Sequence, residues 1–145
     1  RRAAGDELPS HLFVSGHQAP QAGQRTTRYH ELPTPELRRQ LGEMGGIPAV
    51  LLENEEFMEL LLPLMRADLA VCENYQCAAA EPLPCPITVF GGLADAETTL
   101  AGLDAWREQT SGSFDRRMLP GGHFFVYEQE HLVLRVVAQA LLPNG

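Results

Sequence analysis

Two hydrophobic rhythms alternate along this chain. Short apolar runs rich in strand formers are separated by longer stretches in which apolar residues recur every three or four positions. The first run is His11-Leu12-Phe13-Val14-Ser15-Gly16, which reads as a buried strand. A second is Pro86-Ile87-Thr88-Val89-Phe90-Gly91-Gly92, and a third, weaker one spans Phe114 to Leu119 before Pro120-Gly121-Gly122. Helical spacing fills the intervals. Thr34, Pro35 and Glu36 form a start signal, with Thr34 as the expected N-cap, for a helix through Leu37 and Leu41 that stops near Gly45-Gly46. A longer helix opens near Asn54-Glu55-Glu56 and carries Phe57, Leu60, Leu61, Leu64 and Met65 as its apolar face, with a kink expected at Pro63. A third covers Thr99 to Gln109 with Leu100, Leu103 and Trp106. The last runs from about Glu128 to Leu142 on Leu132, Val133, Val136, Val137 and Leu141.

The order is strand, long helical insertion, strand, helix, strand, helix, which predicts an α/β fold with a mostly parallel sheet. The insertion, about residues 25–81, is too long for a simple crossover. Periodicity leaves two uses for its wide apolar face: packing as core, or covering a pocket as a lid. A core of 1–24 and 82–145 would remain, and 145 residues fit one domain or part of one.

Charge and composition narrow the chemistry. All eleven basic residues are arginine and none is lysine, which removes P-loop phosphate binding, Schiff-base catalysis and pyridoxal phosphate linkage, each of which needs the amine. A net charge of −8 lacks the basic footprint that draws nucleic acid. The run Leu60-Leu61-Leu62-Pro63-Leu64-Met65 falls well short of the roughly 20 apolar residues that span a bilayer, so no membrane partner is expected. Cys72, Cys77 and Cys85 match neither a disulfide framework nor a metal pair, and they read as small packed thiols kept reduced in a cytoplasmic protein. The five histidines show no metal-ligand spacing, and no metal or cofactor is expected.

Two polar residues stand out by position. Asp95 follows the Gly91-Gly92-Leu93-Ala94 turn at the carboxyl end of one strand, and His123 follows the next strand in Pro120-Gly121-Gly122-His123-Phe124-Phe125. Carboxyl ends of strands are where sites assemble in open α/β sheets. An acid and then a histidine on successive loops is the order that completes a Ser…Asp…His triad in an α/β hydrolase. The histidine would shuttle the serine proton and the carboxylate would fix its tautomer. The flanking glycines permit sharp turns, and Phe124-Phe125 would give a dry floor. Each residue alone also fits a plain loop position; their pairing by strand position is what favours catalysis.

At these residues the chain resembles the type II thioesterases of polyketide and nonribosomal peptide synthesis. The resemblance rests on His11–Gly16 with Ala19-Pro20, His30-Glu31-Leu32-Pro33, Leu41-Gly42, Gly45-Gly46-Ile47-Pro48, Leu62–Asp68, Pro86–Gly92, Ala105-Trp106-Arg107 and Pro120–Phe125. It implies a cytoplasmic serine hydrolase that clears acyl or peptidyl groups from the phosphopantetheine arm of carrier proteins, with Asp95 as triad acid and His123 as base. It also implies that the insertion is the lid over the acyl channel. Arg25, Arg28, Arg38 and Arg39 could then dock a carrier protein, or form a solvated face balanced by Glu31 and Glu36.

Two departures qualify the resemblance. Ala96 stands where similar sequences carry proline after the acid, which leaves Glu97 as a weaker substitute acid. None of Ser10, Ser15, Ser111 and Ser113 lies in Gly-x-Ser-x-Gly, and no cysteine occupies an equivalent elbow. The expectation is a carboxyl-terminal portion of an α/β-hydrolase fold, with nucleophile and oxyanion donors in a missing N-terminal portion before Arg1. The competing readings are another α/β-hydrolase esterase and a non-catalytic acyl-binding or carrier-binding remnant.

Overall fold

The computed structural model describes residues 8–22 and 27–142. The chain divides into two compact units, one of Arg1–Ala22 with Ala78–Gly145 and one of Gly23–Cys77.

The first unit is built on a parallel three-stranded sheet in the order β1 (Leu12–Ser15), β2 (Ile87–Gly92), β3 (Phe114–Leu119). Leu12 pairs in register with Ile87, and Ile87 with Phe114. All six residues of β2 are buried, in keeping with a run that is apolar but for Thr88 in a strand covered on both faces. Ile87 and Val89 pack with Leu103 on one face, bounded by Leu12, Val14, Trp106, Phe114 and Met118. The strand at 11–16 forms as expected but is only half-buried, because β1 pairs with β2 alone among the described residues.

Between the strands lie α4 (Leu100–Asp104), continued by a 3-10 turn over Ala105–Gln109, and after them α5 (Phe125–Glu128) and α6 (Glu130–Leu141). Thr99 caps α4 by accepting the Gly102 N–H at 3.0 Å. On α6 the stripe Leu132, Val133, Val136, Val137 is half-buried, whereas Leu134 and Leu141 are exposed.

The second unit is helical: a 3-10 turn at Tyr29–Glu31, then α1 (Thr34–Met44), α2 (Ala49–Leu52) and α3 (Glu55–Asn74). Tyr29, Leu37, Leu41, Met58 and Leu62 form its core. Three local expectations shift. Pro33, not Thr34, holds the cap position of α1, and the Thr34 hydroxyl accepts from Arg66 at 3.3 Å instead. The buried face of α3 is centred on Met58 and Leu62, while Leu60 and Leu64 are 76% and 64% exposed. The cause is that α3 is apolar on more than one side here, so spacing leaves its rotation undetermined. Finally, α3 runs continuously past Pro63. Pro63 and Glu59 are exposed, so water can take the carbonyl that the missing proline N–H leaves free.

Candidate active site

β2 ends in Gly91-Gly92, and the chain must then turn sharply beside the loop that follows β3. The two loops meet backbone to backbone: Leu93 N–H donates to Leu119 O at 2.8 Å and Ala94 N–H to Gly121 O at 2.9 Å. A Cβ on Gly92 would stand 2.4 Å from Gly122 O, so only glycine allows this approach. Gly121 itself has φ +120°, which other residues rarely adopt.

This closure delivers Asp95 and His123 to one point. His123 Nδ1 lies 3.2 Å from each carboxylate oxygen of Asp95. A carboxylate only accepts, which assigns the proton to Nδ1 and leaves Nε2 as the basic nitrogen. Asp95 is oriented from behind: Oδ1 accepts the Glu97 N–H at 2.8 Å and Oδ2 accepts the Thr98 hydroxyl at 2.9 Å. The Asp95 side chain is 0% exposed and that of His123 25%. The imidazole is thus anchored in the protein and open at its outer side, as a proton shuttle requires.

The carboxyl end of β1 reaches the same corner. Gly16 has φ +58°, and a Cβ there would sit 3.5 Å from His123 Cε1. Phe125 is fully buried beneath the loop. Phe124 departs from the expected floor: it is 38% exposed and meets the imidazole edge to face, with ring centroids 5.2 Å apart. Glu97 contributes its backbone to the site by binding Asp95, and it is Asp95 that faces His123 Nδ1. Thr98 is a site residue the sequence reading passed over; the Asp95-x-x-Thr98 spacing of a local side-chain turn was its signal. No serine hydroxyl bonds His123 among the described residues.

Outside this corner, Arg28, Arg38 and Arg39 are engaged within the helical unit: Arg28 with Glu31 and Asn74, Arg38 with Glu55 and Leu52 O, Arg39 with Glu43. That favours the balanced-face reading over free docking contacts. Arg25 lies outside the described residues. Cys85 is a buried thiol as expected, but Cys72 is exposed on α3. No cluster of three or more potential metal ligands occurs among the described residues, and none of their helices is long and apolar enough to cross a membrane.

A parallel sheet with flanking helices, carrying an acid and a histidine on successive strand-end loops, places the chain in the α/β-hydrolase class of fold. Within that class it belongs to the thioesterase family, whose thioesterase domain it matches over residues 2–141. Among curated relatives, the gramicidin S biosynthesis protein GrsT of Aneurinibacillus migulanus is 44% identical over 133 residues, covering 92% of this chain and 52% of that protein. Among solved structures, the RedJ thioesterase of prodiginine biosynthesis in Streptomyces coelicolor superposes with a TM-score of 0.89 at 37% identity, over 97% of this chain and 56% of RedJ. The type II thioesterase BorB of the borrelidin cluster gives 0.85 at 30% identity, over 97% of this chain and 57% of BorB. The chain spans about half the length of the curated relatives it matches.

Proposed function

We propose that this chain carries the acid–base half of a serine thioesterase acting on acyl or peptidyl groups held on the phosphopantetheine arm of carrier proteins. The observation that carries the reading is the Asp95–His123 pair at the strand ends. Kinship with proteins of gramicidin, prodiginine and borrelidin biosynthesis supports this substrate class.

In this reading His123 Nε2 takes the proton of a serine hydroxyl as its oxygen attacks the thioester carbonyl. It returns that proton to the departing pantetheine sulfur, then repeats the exchange with water to release the acid and restore the serine. Asp95 holds the Nδ1 proton and stabilises the imidazolium without accepting it. No cofactor takes part; the pantetheine belongs to the partner. The serine lies outside these 145 residues, because none of the four present is in an elbow sequence.

The test is hydrolysis of an acyl-carrier protein by the protein with an in-frame Gly-x-Ser-x-Gly segment preceding Arg1, and by the 145-residue chain alone. The first should hydrolyse it and lose activity in His123→Ala; the second should be inert. Hydrolysis by the chain alone, abolished in His123→Ala, would refute the placement of the nucleophile. Tight binding of acyl-carrier protein without turnover in either form would favour the non-catalytic module instead.

A further inference from the structure

We propose that Gln18 is a positioning residue for Asp95: its amide oxygen pins the Thr99 hydroxyl, and through the Thr98-Thr99 step it holds the turn that aims the Asp95 carboxylate at His123. The inference rests on the role proposed for the Asp95–His123 pair and extends the support of that pair to the loop that leaves β1.

The turn from Asp95 to Thr98 is closed by bonds to the carboxylate itself, the Glu97 N–H on Oδ1 and the Thr98 hydroxyl on Oδ2. Its aim therefore depends on what fixes its two ends. Leu93 and Ala94 fix the leading end through their bonds to the loop after β3. The trailing end is Thr99, the N-cap of α4. The Thr99 hydroxyl accepts the Gly102 N–H at 3.0 Å and donates to Gln18 Oε1 at 3.1 Å. Adjacent threonines thus take different partners, Thr98 the acid and Thr99 the loop after β1.

Gln18 is itself held in place. Its side chain lies against Gly102, where a Cβ would stand 2.1 Å from Gln18 Oε1 and 2.7 Å from its Cδ. The residues on either side are bonded to the same helical segment: His17 O accepts the Trp106 indole N–H at 2.8 Å, and the Ala19 N–H donates to Gly102 O at 2.9 Å. Two residues before Gln18, Gly16 borders His123 Cε1, which a Cβ there would meet at 3.5 Å. One short loop therefore backs the imidazole at Gly16 and pins the turn of the acid at Gln18. The ring of contacts closes through His123, Asp95, Thr98 and Thr99. Gln18 reaches the pair through Thr99, so it positions the acid and takes no part in the chemistry.

The experiment is amide hydrogen exchange on the 145-residue chain, comparing the Glu97 N–H, bonded to Asp95 Oδ1, with the Ile87 N–H, bonded to Ser113 O in the sheet. Gln18→Met keeps the length of the side chain and removes the acceptor; it should speed exchange at Glu97 by about threefold to tenfold relative to Ile87. Gly102→Ala should do the same by another route. Its methyl group displaces the Gln18 amide, while alanine favours the helix, so loosening at Glu97 is then no general loss of stability. Gln18→Glu keeps an acceptor and should hold Glu97 within about twofold of the parent. Because both disruptive changes act on one bond, the double variant should exchange no faster than either single one. Glu97 exchange unchanged in Gln18→Met, equally fast in Gln18→Glu, or additive in the double variant overturns the role of Gln18. Should Gln18→Met fail to fold, Gly102→Ala decides on the same readout. In the form carrying the Gly-x-Ser-x-Gly segment, Gln18→Met should lower kcat by about threefold to tenfold with KM little changed, and Gln18→Glu should retain it. A parental kcat in Gln18→Met also overturns the proposal. The exchange comparison needs no turnover, so hydrolysis insensitive to His123→Ala would count against the proposed function and not against the pin.

Discussion

The Asp95 side chain is enclosed while the His123 side chain it holds is a quarter exposed, and Thr98 binds the carboxylate from behind. Its hydroxyl and the Glu97 N–H occupy one lone pair on each carboxylate oxygen, so the carboxylate cannot rotate away from Nδ1. Hydrogen bonds to a charged group contribute about 1.5–3 kcal/mol. On the proposed mechanism, Thr98→Val in an active form of the protein should therefore lower kcat by about tenfold to a hundredfold with KM little changed. Asp95→Asn should cost about 10⁴-fold, since an amide can present the wrong group to Nδ1. Steady-state kinetics on an acyl-carrier substrate distinguish the two, and a Thr98→Val enzyme of parental kcat contradicts the role given to Thr98.

Gly92 makes a second prediction, about how the pair is assembled. A methyl group at this position meets backbone oxygen at 2.4 Å and 2.7 Å, from Gly122 and Gly121. Neither atom is the end of a flexible side chain, so the loop bearing His123 has to move. Gly92→Ala should destabilise the sheet unit by about 1–3 kcal/mol, the usual cost of overpacking. It should also separate His123 from Asp95. Urea denaturation reads the first effect and the NMR chemical shifts of the His123 ring the second; an alanine variant matching the parent in both shows that the loops are not locked together here.

Much of this arrangement is legible in the sequence, for identifiable reasons. β2 is a run apolar but for Thr88, the pattern of a strand buried on both faces, and its glycine exit marks where Asp95 follows. His123 repeats that logic after β3. Local spacing fails where several faces are apolar, as on α3, whose rotation is set by the packing of Met58 and Leu62 against Leu37 and Leu41. It fails again where partners are distant in sequence. Phe124 and Phe125 look equivalent as letters, and only the turn into α5 sends one inward and the other onto His123.

Glu73 and His30 illustrate the distant case, 43 residues apart. Glu73, near the end of α3, accepts the Tyr29 N–H at 2.9 Å and the His30 N–H at 3.4 Å, and pairs with His30 Nδ1. Its side chain is 9% exposed, so removing it leaves backbone donors with little access to water. Arg66 reinforces the junction by donating to His30 O at 2.7 Å. Glu73→Ala should destabilise the helical unit by about 1–3 kcal/mol. Hydrogen exchange should then show faster exchange at residues 29–31 and along the last turns of α3, with β2 unaffected. Uniform acceleration through both units would show that the junction is not a local one.

His11 yields the last prediction, a dependence on pH. It sits just before β1, stacked on Phe13 with centroids 4.2 Å apart, and its Nε2 lies 2.9 Å from the buried Thr88 hydroxyl. Burial disfavours the charged ring and pushes its pKa below the ordinary 6.5. The unfolded chain then binds the proton more readily than the folded one. Stability from this group is complete above about pH 6.5 and falls as the pH drops below it, until the lower folded-state value is passed. Replacing His11 by glutamine removes the titration while keeping a polar partner for Thr88. Urea midpoints from pH 7.5 to 5 should decline less steeply in His11→Gln than in the parent. Parallel curves would place the acid sensitivity of the sheet elsewhere.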